Sequence, residues 1–203
     1  MPAAVVDLDG VTQLAVGSYA TCTLPREGQV ACWGINAYGQ LGDGRAHDVC
    51  DVSRHTTDAH GTVDCSARPV AVTLARATKI ALGSTGACAT LSDGGGVACW
   101  GNVPGDDAER RPVPIHLPWA RDAVDVSVGE WHACALERSG RVTCWGPPAA
   151  LGHARSSKRL CPARYAGCAV GDPLPPAAGR VVRLSAGHTQ TCVVNVSGAL
   201  RCW

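Results

Sequence analysis

One phrase occurs four times in this chain: a glycine, a short gap, a cysteine, a glycine-centred turn, then a second cysteine followed by tryptophan. The copies are GSYATCTLPREGQVACW (17–33), GSTGACATLSDGGGVACW (83–100), GEWHACALERSGRVTCW (129–145) and GHTQTCVVNVSGALRCW (187–203). A repeat of this kind dictates architecture before any single residue does, because each unit buries its apolar face only against its neighbours. It also absorbs most of the conspicuous residues and leaves few for catalysis.

Each copy reads as a hairpin. In the first, Ala20, Cys22 and Leu24 share one face, and Val30 and Cys32 lie on the returning strand. Arg26-Glu27-Gly28 forms a three-residue loop with Gly28 in the left-handed position. That register sets Leu24 opposite Val30 and Cys22 opposite Cys32. Arg138-Ser139-Gly140 and Val196-Ser197-Gly198 repeat the loop, whereas Asp93-Gly94-Gly95-Gly96 requires a longer turn. Ahead of each hairpin runs a short apolar segment ending in glycine: VTQLAVG, ATKIALG, AVDVSVG and VVRLSAG. Ahead of that comes a proline-led extended piece, PAAVVDL, RPVAVTL, RRPVPIHL or the weaker GDPLPPA. Proline there suits an edge strand or a strand start, where its missing N–H is not needed.

Each repeat thus supplies about four strands and no convincing helix, and four-stranded units in series predict the blades of an all-β propeller. An all-β sandwich with long loops explains the strands but not the fourfold phrase. The first cysteines, Cys22, Cys88, Cys134 and Cys192, are 66, 46 and 58 residues apart. The common propeller repeat is about 40–45 residues, and the excess sits in two polar insertions. The organisation expected is a single propeller or partial propeller over 1–203, with repeats at about 2–44, 68–105, 111–152 and 172–203 and insertions at about 45–67 and 153–171.

The hairpin register also pairs the cysteines. Directly opposed residues in a non-hydrogen-bonded antiparallel pair have Cα atoms about 4.5 Å apart, and a disulfide accepts about 4.4–6.8 Å. Cys22–Cys32, Cys134–Cys144 and Cys192–Cys202 fit, and Cys88–Cys99 fits more loosely. By the loop-entropy model each such closure stabilises by roughly 2.5–3 kcal/mol before strain is subtracted. Cys50–Cys65 and Cys161–Cys168 then tie down the insertions. A zinc site is the competing reading of the first insertion, where Cys50, His55, His60 and Cys65 stand at intervals of five. That spacing matches no common finger, so a disulfide is expected, with no metal and no cofactor.

An even count of twelve cysteines in pairs points to an oxidising compartment. The N-terminus, MPAAVVDLDG, lacks the basic and long apolar regions of a signal peptide. The reading that reconciles the two is a piece of a longer exported protein, extracellular, periplasmic or at the cell surface. A cytosolic protein with reduced cysteines is the rival. The net charge of +1, with 17% charged residues, gives no electrostatic footprint for nucleic acid or an anionic membrane. No apolar run approaches the roughly 20 residues of a spanning helix.

The repeat resembles the bacterial, cysteine-rich secreted branch of the regulator-of-chromosome-condensation repeat family. The resemblance rests on CWGINAYGQLGDG (32–44), which carries Asn36 and Gly39-Gln40-Leu41-Gly42, and on GEWHACAL (129–136), where His132 fills the family's histidine position. Ala20, Gly86 and Gln190 stand there in the other copies, and the Gly-Gln-Leu-Gly tail decays to Asn102-Val103-Pro104-Gly105 and Ala150-Leu151-Gly152. The family usually closes about seven blades, so four repeats imply part of a larger propeller. The alternative is a four-bladed ring completed by strand 2–8. The resemblance further implies three roles: guanine-nucleotide exchange on a small GTPase, inhibition of a secreted enzyme such as β-lactamase, or an uncharacterised surface function.

No nucleophile elbow, phosphate-binding glycine loop or zinc-protease motif is present, and the seven histidines scatter, so the chain is expected not to be an enzyme. A propeller hydrolase or lyase is the rival, and it would gather acids or histidines at the axis. The candidate partner-binding residues are those left variable after each repeat glycine: Ser18 and Tyr19, Ser84 and Thr85, Glu130 and Trp131, and His188, Thr189 and Gln190. Equivalent positions of a repeat fall on one surface, and Tyr and Trp are favoured interface anchors. The expected partner is a protein, with no nucleic acid and no membrane span. The bland alternative is that these are ordinary turn residues, just as the repeated glycines serve turns and the tryptophans blade packing. Asn195-Val196-Ser197 matches a glycosylation sequon but falls in a hairpin turn, where a chance match is favoured.

Overall fold

A computed structural model describes residues 5, 8–52, 61–92, 96–104, 110–147, 151, 169–171 and 179–203. They form four antiparallel sheets in chain order. The first holds β1 (Val11–Val16), β2 (Ala20–Pro25), β3 (Ala31–Ile35), β4 (Asp48–Asp51) and β5 (Thr62–Ala71), ordered β1-β2-β3-β5-β4. The second holds β6 (Ala77–Leu82), β7 (Gly86–Leu91), β8 (Val97–Gly101) and β9 (Arg111–Leu117), and the third β10 (Ala123–Val128), β11 (Ala133–Glu137), β12 (Val142–Gly146) and β13 (Ala169–Gly171). The last holds β14 (Val181–Ala186), β15 (Thr191–Asn195) and β16 (Leu200–Cys202). This is the all-β, blade-by-blade architecture that the fourfold phrase predicts.

Within each blade the cysteine register is as read from sequence. Cys22 faces Cys32, Cys88 faces Cys99, Cys134 faces Cys144 and Cys192 faces Cys202. All four pairs are joined as disulfides with Cα atoms 4.0–4.1 Å apart. Cys50–Cys65 is also bonded, across the β4–β5 hairpin that the first insertion adds to its blade. Gly28, Gly140 and Gly198 close the outer hairpins at φ +84°, +87° and +82°, a region where a β-carbon is costly. Three features lie outside the described residues: the Cys161–Cys168 pairing, most of strand 2–8, and most of the Asp93–Gly96 turn.

Among the described residues, two proline-led strands join the sheet before them, not the one after. β5 (carrying Pro69) pairs with β3, and β9 (carrying Pro112 and Pro114) pairs with β8. In both pairs the ladder shifts register next to the prolines, between Val70 and Ser66 and between Ile115 and Arg111. A residue with no N–H to donate sits most cheaply at such an edge irregularity.

Successive blades interlock through two repeating contacts. The inner strands β1, β6, β10 and β14 lie side by side in that order around the axis. A β-carbon on Gly17, Gly83 or Gly129 would come within 3 Å of the carbonyl oxygen of Gly83, Gly129 or Gly187 respectively. Glycine is therefore what lets the inner strands approach. Further out, an aliphatic residue from one blade's tail shares a hydrophobic cluster with the tryptophan of the next: Leu41 with Trp100, Val103 with Trp145, and Leu151 with Trp203. Trp100 adds a hydrogen bond, its Nε1–H donating to the Gln40 carbonyl at 2.8 Å. Full burial of a large apolar side chain contributes roughly 1.5–3 kcal/mol, so Trp100 and Trp145, both fully buried, are major inter-blade anchors.

Candidate functional site

Each repeat glycine opens a two-residue hairpin tip. Gly17 N–H donates to Ala20 O, Gly83 to Gly86, Gly129 to His132 and Gly187 to Gln190, at 2.8–3.0 Å. These bonds leave Ser18-Tyr19, Ser84-Thr85, Glu130-Trp131 and His188-Thr189 as the turn residues, so the positions that sequence leaves variable are the tips of the inner hairpins. The glycine after each Cys-Trp supports a tip from below. Gly34, Gly101 and Gly146 hold positive φ, and a β-carbon there would lie 2.5–2.6 Å from the carbonyl oxygens of Tyr19, Thr85 and Trp131. Ile35 N–H and Asn102 N–H donate to Tyr19 O and Thr85 O, each at 2.9 Å.

The tips are tied sideways as well. Ser18 Oγ donates to Ser84 Oγ at 3.2 Å, linking the first two blades. Glu130 N–H donates to His188 O at 3.1 Å, and the Glu130 carboxylate pairs with His188 Nδ1, linking the last two. Buried and half-buried side chains brace the inner hairpins beneath. Gln13 makes a two-point amide pair with the backbone of Ile80, and Ala186 N–H donates to Ser127 Oγ at 2.8 Å. His132, fully buried, bonds through Nε2 to Thr191 Oγ1 at 2.5 Å, and burial holds its pKa below the usual histidine value. Along the inner strands Lys79, Asp125 and Arg183 occupy equivalent places. Burial pushes the Asp125 carboxyl up, and the Val126 N–H and the two cations partly oppose it.

All four blades line one cleft of about 560 Å³ through Ser18, Tyr19, Ser84, Thr85, Glu130, Trp131 and His188. That volume falls in the range of ligand-taking clefts. Seven of the nine residues expected from sequence to bind a partner are therefore brought together; Thr189 and Gln190 are exposed but lie outside it. Sequence reasoning missed Tyr38, Val52 and Val63, which line the wall together with Ile35, Ala37, Gln40 and Asn102. Tyr38 rides on the tail loop: Asn36 Oδ1 accepts from Leu41 N–H, and Gln40 Oε1 accepts from Tyr38 N–H. The Asn36 and Gln40 of the family pattern thus act as loop struts. Trp131 and Tyr38 remain 54% and 39% exposed at the mouth.

An acid–imidazole pair, Glu130–His188, does stand in this cleft, but the Ser84 hydroxyl accepts from Ser18. Among the described residues no group of three or more His, Cys, Asp or Glu side chains is placed to hold a metal ion. Of the zinc reading, Cys50 and Cys65 are spent in a disulfide; His55 and His60 lie outside the described residues. Among the described residues no helix is long and apolar enough to cross a membrane.

Residues 11–40 and 123–146 match the family model for the regulator of chromosome condensation (RCC1) repeat. The chain is 29% identical over 155 residues to the mitochondrial RCC1 domain-containing protein RUG3 of Arabidopsis thaliana, covering 68% of this chain and 32% of that protein. Human WBSCR16 superposes with a TM-score of 0.74 at 20% identity, over 97% of this chain and 48% of that one. Prp20p from Saccharomyces cerevisiae, whose structure was described with its binding to Gsp1p and histones, superposes with a TM-score of 0.68 at 23% identity, over 98% of this chain and 47% of that one. The chain spans about a third of that plant relative and just under half of each solved propeller.

Proposed function

We propose that this chain, which is built of RCC1-type repeats, is a non-enzymatic propeller scaffold that binds another protein through its inner hairpin tips, outside the cytoplasm. The observation that carries the reading is the convergence of equivalent tips from all four blades on one cleft, with Trp131 and Tyr38 exposed at its mouth. Large aromatic residues held on short, backbone-bonded turns lose little freedom on binding and provide the commonest energetic anchors of protein interfaces. The yeast protein Prp20p, whose structure was described with its binding to Gsp1p and histones, is itself a protein-binding propeller, and fold alone does not carry those partners over. The five disulfides among the described residues favour an oxidising compartment.

The reading is tested by affinity capture on the oxidised protein followed by quantitative binding of the recovered partner. Tyr19→Ala with Trp131→Ala should weaken binding at least about 30-fold, with circular dichroism unchanged. Val196→Ala, at an outer hairpin 62% exposed and away from the cleft, should leave it intact. Equal loss in both variants would remove the tips from the interface.

A further inference from the structure

Glu130 is the one residue with a fixed charge among the described residues that line the cleft. Its side chain is 27% exposed, and it sits on the same tip as Trp131. A carboxylate partly withdrawn from water is costly unless an opposite charge or donors meet it. His188 engages one of its oxygens, Oε2, through Nδ1, from a ring that is 69% exposed. The rest of the wall combines the aromatic rings of Tyr19, Tyr38 and Trp131 and hydroxyls such as Ser18 and Thr85 with aliphatic side chains such as Val63. Aromatic faces beside a carboxylate favour a cation, since the ring quadrupole and the anion attract the same guest.

From this we infer that the cleft receives a cationic side chain of the partner, best an arginine, stacked against the aromatic wall and paired with Glu130. The inference rests on the interaction surface proposed above and names what that surface reads. Arginine fits better than lysine for two reasons. Its planar, weakly hydrated guanidinium stacks on aromatic faces while still donating to a carboxylate, whereas a lysine ammonium is a compact, strongly hydrated point charge. The guanidinium also offers five donors, and the hydroxyls of Ser18 and Thr85 and the phenol of Tyr19 are acceptors in the same wall. An acidic guest would bring like charge to Glu130, and a purely apolar one would offer its carboxylate no donor beyond His188.

The probe is a capped Gly-Ser-Arg-Ser-Gly peptide, compared with the same peptide carrying citrulline, which keeps the shape and removes the charge. Binding is read on the indole N–H resonance of Trp131, assigned by its disappearance in Trp131→Leu. The arginine peptide should saturate that shift at least about ten times more tightly than the citrulline peptide, a difference one charge-assisted contact supplies. Glu130→Gln should erase most of that preference. As a second variant, Trp131→Leu keeps an apolar tip but loses the ring, and it should reduce the preference when followed by calorimetry. Equal affinity for arginine and citrulline, or an unchanged preference in Glu130→Gln, overturns the inference. If those results appear while Trp131→Ala still weakens binding of the captured partner, the cation is wrong and the surface stands. If Trp131→Ala also leaves the partner bound, both fail.

Discussion

His132 lies wholly buried with its ring bonded to Thr191 on the next blade, and burial disfavours its charged form. The unfolded chain takes up a proton below the ordinary value of 6.5 while the folded ring resists it. Stability present above that pH is therefore lost as pH falls toward the depressed folded value. His132→Gln, which places here the residue found at the equivalent Gln190, removes that term. Between about pH 7.5 and about pH 5.5 the wild type should lose more melting temperature than the variant. Equal losses would show that the ring is not held neutral. Gly83 makes a second prediction at this scale. A methyl there must displace the Gly129 carbonyl, so Gly83→Ala should cost about 1–3 kcal/mol in urea unfolding. No measurable cost would mean the inner strands do not approach as described. The sequence shows a glycine at this place in every copy, but not why. A turn would also explain it, and only the neighbouring blade reveals the close approach.

At the scale of strands, the inner and outer hairpins were legible because their determinants are local. Alternating apolar residues set the faces, and Gly28, Gly140 and Gly198 set the register, from which the cross-strand disulfides follow. Replacing Cys134 and Cys144 together by alanine should lower stability by about 2–3 kcal/mol in urea unfolding. No change would deny that bridge its stapling role. The partner of each proline-led strand was not legible. β5 reaches β3 across the whole first insertion, and nothing within RPVAVTL says which flanking hairpin it joins. Pairing at that distance is decided by which sheet edge is open, a property of the assembled blade.

Across the whole molecule, repetition made the candidate site partly readable. Residues at one place in a repeat must emerge at one end of the blades, so Ser18, Ser84, Glu130 and His188 could be grouped from the sequence. What repetition cannot supply is the part of the cleft wall formed by Tyr38, Val52 and Val63, which come from a tail loop and an insertion of the first blade. Nor could it foresee the Glu130–His188 pair, which joins two blades whose tips differ in sequence. The central claim is that these tips, and not the outer hairpins, meet the partner. A photo-crosslinking residue placed at Trp131 and, separately, at Val196 tests it most directly, using the partner captured by the wild-type protein. The account predicts a covalent adduct from position 131 and none from position 196; adducts from 196 alone would contradict it.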